Sequence, residues 1–525
     1  HPAPRALSAA MSVETVSTTP FDGQKPGTSG LRKKTTVFQQ EHYVENFVQA
    51  TLDAAPDVRG GILVVGGDGR YFNADMIQTI LRMCAANGVE KVVVGQHGLL
   101  STPAVSALIR SLGARGGFIL TASHNPGGPA EDCGLKYNVG NGGPAPESVT
   151  DAIYLNTTKI SEYRTLAGSD DVNLAELGTT RIGDCMDVEV VDSTENYVEL
   201  MKQVFDFEAL ERLLSRSDFS MVYDAMNGVA GPYARRIFHD MLGVPLDNLL
   251  NCEPLEDFGG GHPDPNLTYA ADLVRLMGLD RTGSVVESAP AAYDFGAAAD
   301  GDADRNMVLG KRFFVTPSDS LAILAANADA IPFFREAGGL KSIARSMPTS
   351  GAADLVADKQ GLGMFQVPTG WKFFGNLMDA DGDVYNPLIC GEESFGTGSN
   401  HIREKDGIWA VLAWLSVLAH LNQDSGAPLV SVRDICVQHW ETYGRSFYSR
   451  YDYENVDSAK AAVVMGRLTG MIDLFNKLPA EERKITLADD VVLVDCDEFE
   501  YRDPVDQSVS PHQGWRFHLE DGSRF

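Results

Sequence analysis

The sequence predicts an α/β protein made of several similar units. Three observations carry that expectation. Short apolar runs alternate with helical patterns in successive cycles, which is the rhythm of strands joined by crossover helices. A length of 525 residues corresponds to about 3.5 domains as a prior. Hydrophobic residues make up 44% of the chain against 22% charged, enough to fill several cores.

The first cycle runs through ILVV (62–65), a helical pattern over 74–87, VVVG (92–95), a second helix over 103–112 and GFIL (117–120). The second comprises SMVYDA (220–225), a helix after Gly231, another over 270–277 and AAYDFGAAAD (291–300). The third takes a helix over 318–328, SIARSM (342–347), a helix near 351–359, MFQV (364–367) and a helix from Asp406. The remainder differs. It offers one helix over 461–476, an acidic strand-like run over 491–503 and a terminal hairpin, RFHLE-DG-SRF.

Composition excludes some function classes. Lys and Arg total 43 against 72 Asp and Glu, a formal net charge of −29 that disfavours nucleic acid and anionic membrane surfaces. The longest apolar stretch, 407–421, is too short for a membrane span and reads as a buried helix. Seven scattered cysteines without a CxxC pair point to a reducing, cytoplasmic compartment. Residues 1–10 contain no apolar run of the kind a secretory signal needs.

Four segments carry chemistry, each close to a predicted strand end, where open α/β sheets bind ligands. TASHNPGG (121–128) sets Ser123 beside His124 on a bent glycine- and proline-rich loop, where a serine can act as nucleophile. A Ser-His dipeptide alone is more often an ordinary loop. Lys136, a dozen residues on, is either a proton-transfer partner and phosphate counter-charge or a solvated surface group. DGDADR (300–305) places carboxylates at i, i+2 and i+4, an all-oxygen set suited to Mg²⁺. A calcium EF-hand fails on position, because Arg305 and Lys311 stand where that loop needs Gly and Glu. An acidic turn is the remaining alternative. GEESFGTGSNHIREKDG (391–407) combines carboxylates and hydroxyls that read sugar hydroxyls with Arg403 and Lys405, which can hold a phosphate. GQKPGTSGLRKK (23–34) is either a disordered tail or a local cationic site.

In this order KPGTSGLR, TASHNPGG, DGDADR and GEESFGTGSNHIREKDG resemble the α-D-phosphohexomutase superfamily, and within it the phosphoglucomutase family, from Thr18 onward. GEES looks like the glucose branch rather than the mannose or glucosamine branches. The resemblance implies four domains around a central cleft. The first three share a mixed-sheet α/β topology, and the fourth is a smaller α+β domain. The implied boundaries are an extension over 1–17 and domains over 18–196, 197–315, 316–438 and 439–525. A family loop of pattern RxSGTxS does not occur before Phe525, so the expectation is a fourth domain incomplete at its C-terminus.

The resemblance further implies that Ser123 is the phosphoserine and that Asp300, Asp302 and Asp304, with the seryl phosphate, hold Mg²⁺. His124 and Lys136 take acid/base roles, while Arg32 and Arg305 line the reacting phosphate. Thr28, Ser29, Thr369, Gly370, Glu392, Ser394, Arg403 and Lys405 are expected to bind the substrate, a hexose phosphate. The implied reaction interconverts glucose 1-phosphate and glucose 6-phosphate through glucose 1,6-bisphosphate. The same motifs occur in parafusins, phosphoglucomutase-like proteins of regulated exocytosis, which leaves a parafusin-like member associated with secretory vesicles as the alternative.

Overall fold

The computed structural model describes residues 11–525 apart from 28, 381, 452, 454, 455, 489, 490 and 506. The first sheet has seven strands, in the spatial order Leu31–Lys34, Asp132–Val139, Gly116–Leu120, Ile62–Gly67, Lys91–Leu99, Met186–Val191 and Gly178–Ile182. The central four run parallel and the flanking ones antiparallel. Strands covered on both faces read as unbroken apolar runs, and Leu63, Val64 and Val65 are fully buried here. The helices Asn73–Ala86 and Thr102–Leu112 are the crossovers that the alternation predicts. The second of these starts where the Ala104 N–H donates to the Ser101 hydroxyl at 3.1 Å. It stops at Gly113, whose φ of +59° ends the helix.

The second sheet orders Leu249–Leu250, Met221–Asp224, Phe295–Ala299, Asn306–Gly310 and Phe313–Phe314. The third orders Gly363–Val367, Ser342–Ser346, Leu388–Gly391 and Thr397–Ser399. All three sheets repeat one device. A parallel strand ends, a motif-bearing loop follows, and the chain returns as an antiparallel neighbour. Residues 121–131, 300–305 and 392–396 are those three loops, so the shared mixed-sheet topology is borne out and the chemistry falls at equivalent places.

The stretch Gly407–Leu421 is a helix begun by Asp406, whose carboxylate accepts the Trp409 N–H at 2.9 Å. Every residue from Gly407 to Ala419 is buried, in a core that runs continuously through the three sheets. No helix among the described residues is long and apolar enough to cross a membrane. The helix Val432–Tyr443 runs unbroken through position 438 and packs on the third sheet's helices.

The last part is a small α+β unit, the helix Ser458–Lys477 on an antiparallel sheet of Ile485–Ala488, Val491–Glu498 and Trp515–Leu519. The strand expected over 491–503 breaks after Glu498, and Tyr501–Arg502 pairs with Val509–Ser510 instead. The terminal hairpin forms, with Phe517 and Phe525 exchanging backbone hydrogen bonds at 2.8 and 3.0 Å.

Candidate active site

The loop after Gly116–Leu120 holds Ser123 in the left-handed region at φ +54°, which a non-glycine residue adopts only when its surroundings over-determine it. The surroundings are a buried polar network. The Ser123 N–H donates to the Thr121 hydroxyl at 2.7 Å, and that hydroxyl donates to Asp68 at 2.6 Å. Arg70, paired with Asp68, donates to the carbonyls of Ser123 at 2.9 Å, Asp132 at 2.9 Å and Asn125 at 3.3 Å. Both ends of the Ser123 peptide are thereby held, and its hydroxyl is left to the chemistry. That hydroxyl donates to Asp300 Oδ2 at 2.9 Å and lies 3.3 Å from His124 Nδ1.

The second loop brings Asp300, Asp302 and Asp304 together, with one oxygen from each within 4.8 Å of the others. All three are buried, which discards the reading as an exposed acidic turn. Asp300 Oδ1 accepts the N–H groups of Asp304 and Arg305 at 3.0 and 2.9 Å. Asp302 Oδ2 accepts the Thr102 hydroxyl at 2.7 Å. Asp302 Oδ1 and Asp304 Oδ1 are buried without a hydrogen-bond partner. Burial and the charges of its two neighbours push the Asp300 carboxyl well above its usual range, and burial with the Asp302 charge lifts Asp304 to about 7. Burial also opposes the charge on Asp302, but the Thr102 hydrogen bond and the lysines Lys136 and Lys405 outweigh it and hold that carboxyl low. Three buried carboxylates, two of them with an unpartnered oxygen, make a site for a hard cation, because a cation relieves the mutual repulsion that otherwise favours protonation. The residues fit a metal.

The third loop and its neighbours supply cations and hydroxyl readers. Lys405 Nζ lies 3.0 Å from Glu392 and 3.6 Å from Asp304, so it joins the sugar loop to the metal loop. Burial disfavours its charge, but Asp304 and Glu392 more than compensate and raise its pKa. Burial likewise disfavours the Glu392 carboxylate, yet Lys405 and Arg305 keep it charged, and Ser394 hydrogen-bonds it. Arg305 bridges to Gly396 through its backbone, while its guanidinium approaches Asp264 at 4.0 Å. The Nε atoms of Arg32 and Arg305 are buried without partners, and burial lowers the Arg32 pKa. Burial, together with Arg305, Arg32, Lys405 and His262, pushes His124 down to about 2, leaving a neutral imidazole beside Ser123.

Lys136 is no solvated surface group. The returning strand Asp132–Val139 buries it, and its ammonium donates to Glu404 across the first and third units. Arg403 is engaged within its own unit. Its Nε donates to Asp379 at 2.6 Å, Nη1 to the carbonyls of Asn400 and Ile402, each at 3.0 Å, and Nη2 to the carbonyl of Met378 at 3.2 Å. A guanidinium so engaged clamps the loop and keeps one of its five N–H groups free of these four bonds. Arg32, on the strand Leu31–Lys34, reaches the centre, so its segment is no tail. Thr28 lies outside the described residues. Ser29 is half-buried, Thr369 is exposed, and Gly370, at φ +130°, opens the helix Trp371–Asp379. None of these three makes a side-chain hydrogen bond or ion pair to the centre among the described residues. Reasoning from the sequence missed Asp68, Arg70, Thr102 and Glu404. Of these, Glu404 alone had a signal, its place beside Arg403 and Lys405 in a loop already rich in charge.

Comparison with known proteins places four family models along the chain. Those described as phosphoglucomutase/phosphomannomutase alpha/beta/alpha domains I, II and III match residues 23–164, 195–312 and 317–443. The one described as phosphoglucomutase-1, C-terminal domain, matches residues 445–525. The chain is 60% identical to a protein named phosphoglucomutase, cytoplasmic 1, of Zea mays, over 97% of this chain and 88% of that protein. It is 59% identical to cytoplasmic phosphoglucomutase of Mesembryanthemum crystallinum, over 98% and 89%. Among solved structures, the open form of the exocytosis-sensitive phosphoprotein parafusin, a phosphoglucomutase from Paramecium, shares 51% identity. The TM-score is 0.86, covering 98% of this chain and 88% of that one.

Proposed function

The chain belongs to the phosphoglucomutase/phosphomannomutase family, and on that premise we propose that it is a cytoplasmic phosphoglucomutase that interconverts glucose 1-phosphate and glucose 6-phosphate. The observation that carries the reading is the Ser123 hydroxyl, held by a buried network and hydrogen-bonded at 2.9 Å to a carboxylate of the metal-competent triad.

In this reading Ser123 carries a phosphoryl group at the start of the cycle. The P–O bond to Ser123 Oγ breaks as the 6-hydroxyl of glucose 1-phosphate attacks phosphorus; that hydroxyl loses its proton and the departing Ser123 Oγ takes one up. Glucose 1,6-bisphosphate then turns within the site. Ser123 Oγ, losing its proton, attacks the other phosphate, the bond to the sugar 1-oxygen breaks, that oxygen takes a proton, and glucose 6-phosphate leaves. Asp300, Asp302, Asp304 and an oxygen on Ser123 would hold Mg²⁺. When bound it neutralises charge on the transferring oxygens.

The chain's own residues do the rest. Phosphoryl transfer depends mainly on positioning and on neutralising spread charge. Arg32, Arg305 and Lys405 ring the centre with positive charge, and the unpartnered Nε atoms of Arg32 and Arg305 are donors available to a phosphate. His124, neutral and 3.3 Å from Ser123 Oγ, can hydrogen-bond that oxygen, while Lys136, ion-paired with Glu404, suits the role of proton-transfer partner. Glu392 and Ser394 accept and donate to sugar hydroxyls. Thr28, Ser29, Thr369 and Gly370 are further substrate contacts in this reading.

The reading as a vesicle-associated parafusin gains no observation of its own, since the parafusin structure is itself that of a phosphoglucomutase. A coupled assay on glucose 1-phosphate tests the proposal. Ser123→Ala should lower kcat at least about a thousandfold, as loss of a covalent nucleophile does. Activity within tenfold of the parent would overturn the phosphoserine mechanism.

A further inference from the structure

The metal loop is fastened from three sides. Its successive carbonyls at Gly301, Asp302 and Ala303 accept the N–H groups of Val229 at 3.0 Å, Thr102 at 3.1 Å and Gly407 at 3.0 Å. Val229 belongs to the second unit, Thr102 to the first and Gly407 to the third. Thr102 and Gly407 are the first residues of the helices Thr102–Leu112 and Gly407–Leu421.

Among these contacts only Thr102 also reaches a carboxylate of the triad. Its hydroxyl donates to Asp302 Oδ2 at 2.7 Å, across 200 residues of sequence and the seam between the first two units. The other oxygen, Asp302 Oδ1, stays buried and unpartnered. Asp300 is oriented differently, by N–H groups of its own loop. Asp302 therefore relies on another unit for the hydrogen bond that decides which of its oxygens faces the triad. Thr102 itself is fully buried, so its hydroxyl has no water to turn to.

We propose that Thr102 is a positioning residue of the metal centre: its hydroxyl holds Asp302 Oδ2 so that Oδ1 is presented to the cation. The inference rests on the reading of the triad as a metal site. Partners that orient a ligand in this way are worth tenfold or more in metal affinity in other proteins.

Thr102→Val keeps the shape and the backbone N–H bond to Asp302 and removes the hydroxyl alone. Thr102→Ser keeps the hydroxyl and removes the methyl. Titrating Mn²⁺ into the full chain, followed by calorimetry and by the electron paramagnetic resonance of free Mn²⁺, reads affinity without turnover. The expected result is a Kd raised about tenfold in Thr102→Val and within about threefold of the parent in Thr102→Ser. Should the valine variant not fold, Thr102→Ala against Thr102→Ser makes the same comparison, with Ala expected to be about tenfold weaker than Ser. Equal affinity with and without the hydroxyl would overturn the role of Thr102. Failure of the parent chain itself to bind Mn²⁺ would instead overturn the metal reading on which it rests.

Discussion

The serine loop and the metal loop leave equivalent strands of two like sheets, yet they are held by different means. The serine loop is fastened within its own unit, by the buried pair of Asp68 and Arg70 and by Thr121. The metal loop is fastened by N–H groups from three units and by a hydroxyl from a unit not its own. The difference teaches where each kind of order comes from. A strained residue such as Ser123 needs many short-range partners at fixed positions, which one unit can supply. Three converging carboxylates need compensating dipoles and charges on all sides, which no single unit here supplies. The N-termini of two helices, together with Lys405 and Arg305, meet that need only once the units are docked.

The sharpest break of this contrast is Arg70→Met. It removes the cation that holds three carbonyls of the serine loop and leaves Asp68 buried without its partner, so a loss of about 3–5 kcal/mol in chemical denaturation is expected. A loss below about 1 kcal/mol would mean that the loop is fastened elsewhere. Next in size is the metal. If the triad binds Mg²⁺ in the folded chain alone, Mg²⁺ at a hundred times its Kd should stabilise by about 2.7 kcal/mol, and a chelator should reverse the gain. Asp302→Asn should abolish most of it. The smallest effect concerns the third unit's grip. A Cβ on Gly407 would collide with the carbonyl of Arg305, so Gly407→Ala should cost about 1–3 kcal/mol and weaken Mn²⁺ binding as well. Full Mn²⁺ affinity in that variant would show that the metal loop tolerates movement of the third unit's helix.

Much of the fold can be read before any coordinates. Runs such as ILVV and VVV have no polar face and belong in a covered sheet, and GIWAVLAWLSVLAHL has none either and is a helix buried to Ala419. The antiparallel return strands are harder. Asp132–Val139 carries Asp132, Lys136 and Asn138 and follows Glu131, so its composition resembles a loop, and pairing with Gly116–Leu120 and Leu31–Lys34 makes it a strand. Arg403 shows what loop composition leaves out. A cation in a glycine-rich loop suggests anion binding, but Asp379 and three carbonyls already occupy its guanidinium.

The sequence by itself determined the three α/β cycles, the four motifs in order and the family, and it singled out the serine and the three aspartates as candidates. These are properties of periodicity and of loop composition, and both are local. The tertiary structure decided which side chains the chemistry can use. Lys136 meets Glu404 across 268 residues, Arg70 meets Ser123 across 53, and Thr102 meets Asp302 across 200. A residue's hydrogen-bonding partners and its charge depend on what lies within a few ångströms. Folding, and not spacing along the chain, brings those groups together.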